Sequence, residues 1–210
     1  MIKFNVSLIN TCTEVEGPFK RLCIWFQGCN RNCKGCCNKA LQPLKPANII
    51  SLEDLLKIIR KSKIENKIEG ITLSGGEPLL QTGLVKLLEE VKNLELGIIL
   101  FTGYQLNEIE DNLKSQCDII IDGYFDEQKI DNDRALVGSL NQNINYISDR
   151  YTNEKDWFYK KKNFENFSVC SFDFFYCIFF FVFSAWKNSI FFWEIKYNFG
   201  SFEFGTCKSR

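Results

Sequence analysis

Residues 28–38 read Gly-Cys-Asn-Arg-Asn-Cys-Lys-Gly-Cys-Cys-Asn and directly follow the apolar run of residues 22–26. Within this stretch, Cys29, Cys33 and Cys36 form a C-x3-C-x2-C loop. Three thiolates so close together favour a metal ion or an iron–sulfur cluster over disulfides. A 4Fe–4S cluster normally takes one cysteine on each iron. Three cysteines would therefore leave one iron open to a substrate or a cofactor.

Zinc is the main alternative for these cysteines. A structural zinc site needs four ligands, usually as two separated pairs. The chain contains no histidine, and the next cysteine after Cys37 is the solitary Cys117. Cys37 is better explained as a small, partly buried thiol than as a fourth ligand. Disulfides are disfavoured because the N-terminus shows no secretory signal and reduced cysteines are the default in the cytosol.

Residues 71–80 form a second motif, Ile-Thr-Leu-Ser-Gly-Gly-Glu-Pro-Leu-Leu. An apolar strand is expected to end in this motif, and a helix is expected to begin at Pro78. Gly75 and Gly76 remove side chains where the backbone must approach a ligand closely. Without the cysteines, the same glycines would indicate only a strand-to-helix turn.

The order of predicted elements indicates an α/β fold. Strands alternate with helices, which predicts a parallel sheet with helical crossovers. The chain is too short for a full eight-fold barrel of about 250 residues, so an incomplete βα barrel is expected. The predicted strands are 2–9, 21–27, 68–73, 96–101 and 118–122, and the predicted helices are one capped by Ser51, 79–91 and 105–114.

This architecture predicts where the motifs meet. Ligands in such sheets bind at the carboxyl ends of the strands. Cys29 follows one predicted strand, Gly75 to Glu77 a second, Thr102 a third and Asp122 a fourth. We therefore expect all four groups to lie at one edge of the sheet.

The cysteine loop followed by strand-Gly-Gly-Glu-Pro resembles the radical S-adenosylmethionine (SAM) superfamily. The chain is similar above all to the short activating enzymes of glycyl radical enzymes, in particular those of anaerobic ribonucleotide reductase. The resemblance covers about the first 150 residues. It is also carried by Glu16-Gly17-Pro18, Trp25 to Cys29, Leu100 to Tyr104, Ile121 to Phe125 and Gly138 to Gln142.

The resemblance implies a role for each motif. Cys29, Cys33 and Cys36 would ligate a 4Fe–4S cluster, whose open iron would be chelated by the amino and carboxylate groups of SAM. The turn after the second motif's strand would bind the methionine part of SAM, with Glu77 fixing either the neighbouring fold or the amino group. The implied cofactor-binding residues are Ser74, Gly75, Gly76, Glu77, Thr102 and Asp122.

The implied reaction is reductive cleavage of SAM to a 5′-deoxyadenosyl radical, which takes a hydrogen atom from a glycine of the partner. The implied partners are a glycyl radical enzyme, anaerobic ribonucleoside-triphosphate reductase above all, and a flavodoxin- or ferredoxin-type electron donor. Two alternatives stay open at this point. One is a radical SAM enzyme that modifies a peptide or another glycyl radical enzyme, and the other is a zinc-binding interaction module.

Two positions depart from the family pattern. Phe19 stands where the family commonly has glycine, so the backbone of its loop is expected to differ. Cys37 stands where an aromatic residue or histidine is usual, so a stacking contact to adenine is expected to be missing. Gly35, before the third cysteine, matches the activators of ribonucleotide reductase.

Composition separates residues 1–163, the expected radical SAM domain, from an aromatic-rich tail at 164–210. The chain has 26 basic and 26 acidic residues, so its charge does not point to nucleic acid. Fourteen of its twenty phenylalanines lie at or after Phe164. The uncharged run at 174–186 would span only about 20 Å as a helix, so a membrane span is disfavoured and a cytoplasmic protein is expected. The abrupt loss of pattern favours the hypothesis that the tail is a frame-shifted translation.

Overall fold

A computed structural model describes residues 1–159, in which seven strands form one mixed sheet of order β3-β1-β2-β4-β5-β6-β7. The four central strands β2, β4, β5 and β6 are parallel, whereas β1, β3 and β7 pair antiparallel with their neighbours. The predicted tail, and with it the division of the chain at 163/164, lies outside the described residues. The strands are β1 Lys3–Thr13, β2 Arg21–Phe26, β3 Asn48–Ser51, β4 Gly70–Gly75, β5 Gly97–Phe101, β6 Ile119–Asp122 and β7 Asn143–Tyr146.

The described residues form three α-helices, α1 Leu52–Glu65, α2 Leu84–Asn93 and α3 Asp111–Lys114. Ser51 caps α1 as predicted, because its hydroxyl accepts a hydrogen bond from the Asp54 N–H at 3.1 Å. Shorter 3-10 segments lie at Lys39–Leu41, Pro78–Leu80, Leu106–Glu108 and Asp149–Phe158. No helix among residues 1–159 is long and apolar enough to cross a membrane.

The two faces of the sheet carry separate hydrophobic clusters. Alternate strand residues point to opposite faces, so Ile98 and Leu100 lie in one cluster while Ile99 between them lies in the other. The buried hydrophobic residues of all three α-helices belong to the first cluster. The second cluster is covered by the 3-10 segment Asp149–Phe158, through Tyr151 and Phe158. Every residue of β6 is buried, as its three isoleucines predict.

Several predicted elements are wrong in kind or extent. The sheet is mixed rather than parallel, because β1, β3 and β7 each pair antiparallel with a neighbour. Strands β3 and β7 are not among the predicted strands, and β1 continues to Thr13. The predicted helix 79–91 begins only at Leu84, since Gln81 is extended and ends the short turn at Pro78. The predicted helix 105–114 is broken at Ile109, whose backbone is also extended.

Arg21 ties together the amino ends of the parallel strands. Its guanidinium is fully buried and donates to the Thr72 hydroxyl at 2.8 Å, to the Tyr151 hydroxyl at 2.8 Å and to the Gly97 carbonyl at 3.1 Å. It also pairs with Glu69 at 3.3 Å. A planar group with five donors suits this position because all three of its nitrogens donate to neighbouring acceptors. Arg21 thus joins β2, β4 and β5 to the 3-10 segment Asp149–Phe158.

Phe19 adopts the backbone conformation that favours glycine. Its φ is +62° and its ring is half exposed. The left-handed backbone that glycine favours is therefore present at this position, and the expected change of the loop is not seen there. The side chain occupies a left-handed conformation at a steric cost.

We expect Arg21→Met to lower the free energy of unfolding by about 3–5 kcal/mol, because it removes a buried cation and leaves several buried hydrogen-bond acceptors without their donor. Urea unfolding of the full chain measures this change. Arg150→Met is the matched control, since Arg150 also pairs with Glu69, at 2.7 Å, from a more exposed position. That control should cost about 1 kcal/mol or less. Equal losses in both variants would contradict the central role of Arg21.

We also expect Phe19→Gly to be more stable than Phe19→Ala by about 1 kcal/mol. Both substitutions remove the same ring, but only glycine relieves the left-handed conformation. The comparison of the two variants by urea unfolding isolates the backbone contribution. An alanine variant at least as stable as the glycine variant would show that the positive φ carries no cost here.

Candidate iron–sulfur site

The carboxyl ends of the four parallel strands lie side by side. Phe26 pairs with Gly75, Leu73 with Leu100, and Phe101 with Ile121. The cysteine loop, the Gly-Gly-Glu turn, Thr102 and Asp122 therefore follow adjacent strands at one edge of the sheet. The predicted common edge is confirmed.

The turn after β4 docks on the backbone that enters the cysteine loop. The Gly76 N–H donates to the Phe26 carbonyl, and the Glu77 N–H donates to the Gly28 carbonyl, both at 2.8 Å. A Cβ at Gly75 would lie 2.5 Å from the Phe26 nitrogen, and one at Gly76 would lie 2.3 Å from the Gly28 oxygen. The close approach that requires these two glycines is thus to another backbone segment.

Glu77 joins the turn to the end of β5. Its carboxylate accepts from the Leu79 N–H at 3.0 Å, the Thr102 hydroxyl at 2.9 Å and the Gly103 N–H at 2.8 Å. Only 1% of the residue is exposed. Glu77 is expected either to fix the neighbouring fold or to contact the amino group of SAM. The three hydrogen bonds are contacts of the first kind.

Burial raises the pKa of the Glu77 carboxyl above its ordinary value. The three hydrogen bonds and the nearby positive charge of Arg31 lower the pKa and so oppose this effect. Desolvation has the larger effect on the pKa, so keeping this carboxyl ionised in the folded chain costs free energy.

Hydrogen bonds hold the cysteine loop at both ends. The Gly28 N–H donates to the Leu41 carbonyl at 2.8 Å, and the Cys29 N–H donates to the Gln42 carbonyl at 2.9 Å. The Asn38 side chain donates to the Gly75 carbonyl at 3.2 Å and so ties the far end of the loop to the β4 turn.

Cys29, Cys33 and Cys36 all carry free thiols that are partly exposed. Burial raises the pKa of the Cys29 thiol, and a hydrogen bond from the Arg31 N–H, at 3.4 Å, opposes the rise. Across residues 1–159, no three histidine, cysteine or carboxylate side chains are grouped closely enough to hold a metal ion. The three thiols share one loop, and their role as ligands stays a prediction.

The chemistry of this donor set fits an iron–sulfur cluster. Three reduced, accessible thiols within eight consecutive positions of one loop are the ligands that iron–sulfur clusters take. The loop is bordered by the buried carboxylate of Glu77, but this group is already held by three donors. The thiols are therefore the available ligands at this edge.

Thr102 and Asp122 are buried at the strand ends and already have protein partners. Thr102 donates to Glu77 and accepts from the Tyr104 N–H at 3.1 Å. Asp122 accepts from the Leu106 N–H at 2.7 Å and from the Asn145 side chain at 3.1 Å. These contacts give both residues a structural role, and contact with a cofactor stays a prediction for each.

The other cysteines of residues 1–159 differ in burial. Cys23 and Cys117 are buried and Cys12 is half-buried. The expectation of a partly buried Cys37 is wrong, because this residue is exposed.

Two contacts at this edge were not foreseen. The Arg31 guanidinium lies 4.4 Å from the centre of the Tyr104 ring, and the Asn30 side chain donates to the Tyr104 hydroxyl at 2.8 Å. Tyr104 belongs to the Leu100 to Tyr104 motif, but nothing in its sequence context indicates which residue its ring contacts.

Comparison with known proteins identifies a family and several relatives. A family model described as "4Fe-4S single cluster domain" matches residues 15–145. The anaerobic ribonucleoside-triphosphate reductase-activating protein of Vibrio cholerae is 33% identical over 62% of this chain and 90% of its own length. The protein of the same name from Enterobacteria phage T4 is 29% identical over 67% of this chain and 92% of its own length. A crystal structure of QueE from Escherichia coli aligns with a TM-score of 0.44 at 15% identity, over 60% of this chain and 73% of that one.

The chain therefore belongs to the 4Fe-4S single cluster domain family, whose model covers more than half of its length.

We expect the Glu77 carboxyl to leave a pH signature in stability. Because burial raises its pKa in the folded state, the folded chain binds the proton more tightly than the unfolded chain does. This contribution is present at acidic pH and is lost as pH rises through the raised pKa. The difference in free energy of unfolding between wild type and Glu77→Gln should therefore shrink over that range.

Urea unfolding of the cluster-free chain at a series of pH values measures this difference. Glu53→Gln, which changes an exposed carboxylate on α1, is the control and should give a difference that depends little on pH. A wild-type advantage that grows from acidic to neutral pH would contradict the raised pKa.

Proposed function

We propose that the chain is the activating enzyme of an anaerobic ribonucleoside-triphosphate reductase, acting through a 4Fe–4S cluster and SAM. The observation that carries the proposal is the docking of the β4 turn on the cysteine loop, through the Glu77 N–H and the Gly28 carbonyl. This contact brings the expected SAM-binding motif against the expected cluster-binding motif. The names of the relatives supply the reaction and the partner.

Cys29, Cys33 and Cys36 would hold the cluster, leaving one iron for SAM. When bound, the cluster and SAM supply a 5′-deoxyadenosyl radical, which takes a hydrogen atom from a glycine of the reductase. The chain's own task is to hold these groups in order at the strand edge. No acid or base needs to act, which agrees with a chain that lacks histidine.

Some hydrogen-bonding groups of the turn are already used within the protein, and this limits how the turn would contact SAM. The Gly76 and Glu77 N–H groups donate to the backbone of the cysteine loop. Contacts from Ser74, Gly75 and Gly76 would therefore use carbonyl and hydroxyl oxygens, which suit the protonated amino group of SAM. Glu77 would act from beneath this surface by holding the turn and Gly103 in place. Thr102 and Asp122 would support the same edge.

The proposal extends to the architecture and the setting of the reaction. The sheet would be the incomplete βα barrel of small radical SAM enzymes, with the three helices on one face and the site at the carboxyl ends of the parallel strands. A flavodoxin- or ferredoxin-type protein would deliver the electron. The protein would work in the cytoplasm, where reductase and electron donor are available.

Each of the variants Cys29→Ser, Cys33→Ser and Cys36→Ser should lose the cluster and the formation of 5′-deoxyadenosine, because an alcohol is a poor ligand for iron in such clusters. The measurement is anaerobic loading of the full chain with iron and sulfide, followed by electron paramagnetic resonance with and without SAM. Cys37→Ser is the matched control and should behave as the wild type.

Addition of an anaerobic ribonucleoside-triphosphate reductase tests the partner. A glycyl radical on the reductase, dependent on SAM and on the three cysteines, is the expected result. Bound zinc with no response to SAM would overturn the enzyme proposal. Cleavage of SAM with no radical on the reductase would overturn only the choice of partner.

A further inference from the structure

Two successive residues of the cysteine loop hold one aromatic ring at the end of β5. The guanidinium carbon of Arg31 lies 4.4 Å from the centre of the Tyr104 ring. Asn30 donates to the hydroxyl of the same tyrosine at 2.8 Å. Both residues lie between Cys29 and Cys33, so this contact fixes the first turn of the loop.

Tyr104 is itself firmly attached to the sheet. Its N–H donates to the Thr102 hydroxyl at 3.1 Å, and its carbonyl accepts from the Gly123 N–H at 2.8 Å. Thr102 in turn donates to the buried carboxylate of Glu77. The ring is therefore fixed to the ends of both β5 and β6, and Arg31 is held against a rigid support.

The charge of Arg31 acts on the buried Glu77 carboxylate but forms no salt bridge with it. Within residues 1–159, no ion pair includes Arg31, and its Nε is shielded from solvent with no hydrogen-bond partner. Lys34, in the same loop, differs because it pairs with Glu127 at 2.6 Å. A partly buried cation with a shielded donor has a free-energy cost that a negative group nearby would offset.

The proposed cluster would be such a group. Three thiolates around a 4Fe–4S cluster in its oxidised state give a net negative charge, and one added electron makes that charge larger. Net charge and polar contacts around a cluster set its reduction potential. A fixed cation two residues from Cys29 and two from Cys33 favours the reduced state, so it makes the potential more positive.

We propose that Arg31 is a positioning residue that, held on Tyr104, orders the cysteine loop and raises the reduction potential of the cluster. The proposal rests on the proposed function in one respect, that Cys29, Cys33 and Cys36 bind the cluster. It assigns to the residue between the first two cysteines a role that neither the thiols nor the SAM-binding turn can perform.

The test is a redox titration of the loaded full chain without SAM, followed by electron paramagnetic resonance. Dithionite transfers one electron to the oxidised cluster, and no bond forms or breaks in this step. Arg31→Gln should shift the potential to a more negative value, and Arg31→Lys should retain most of the wild-type potential. Arg60→Gln, which removes the same charge from an exposed position on α1, should change nothing.

The support provided by the ring is tested separately. Tyr104→Leu keeps the charge of Arg31 but removes its platform, so the potential should fall part of the way towards that of Arg31→Gln. Tyr104→Phe keeps the platform and removes only the hydroxyl that accepts from Asn30, so its potential should stay near the wild-type value. Faster loss of iron from Tyr104→Leu than from Tyr104→Phe would support the ordering of the loop.

An unchanged potential in Arg31→Gln, with the cluster loaded, would overturn this proposal and leave the proposed function standing. If Arg31→Gln fails to load but Arg31→Lys loads at the wild-type potential, the requirement for positive charge is supported. Failure of both variants to load would overturn the electrostatic role, since the charge alone would then not suffice. A wild-type chain that binds no iron and sulfide would overturn the proposed function and this proposal together.

Discussion

The contact between the β4 turn and the backbone of residues 26–28 is the constraint on which the site depends. Gly76 and Glu77 donate to carbonyls of this segment at 2.8 Å, at a distance that no side chain on Gly75 or Gly76 would allow. The buried Glu77 carboxylate then extends the contact to the start of the loop after β5. One short turn thus holds three strand ends in register, and the cysteine loop is built on them.

Buried charged groups are stabilised differently at the two ends of the parallel strands. At the amino ends, Arg21 is fully buried with a carboxylate, Glu69, and with several carbonyl and hydroxyl acceptors, so every part of the guanidinium is used for stability. At the carboxyl ends, Glu77 is held by neutral donors, and Arg31 stacks on a ring without an ion pair among the described residues. Among residues 1–159, charged groups without a salt bridge are thus found where the cofactors are expected.

Much of this arrangement could be predicted because its signals are local. The central strands are apolar runs, Ser51 precedes a helical pattern, and the motifs follow the strands that carry them. The missed strands have weak local signals. β3 presents the exposed Ile49 and pairs only with β1, while β7 reads Asn-Ile-Asn-Tyr and is defined by its pairing with β6. The break at Gln81 coincides with a contact far along the chain, because the Gln81 side-chain oxygen accepts from the Asn5 N–H at 2.9 Å.

The sequence by itself determined the kind of chemistry and its place in the fold. The spacing of Cys29, Cys33 and Cys36 indicates the cluster, and the alternation of strands and helices brings the motifs to one edge, because both signals lie within short segments. Tertiary structure alone decided which groups remain available at that edge. Whether Gly76 donates to a ligand or to Phe26, and whether Arg31 meets a carboxylate or the Tyr104 ring, depends on residues far apart in sequence that meet only when the sheet forms.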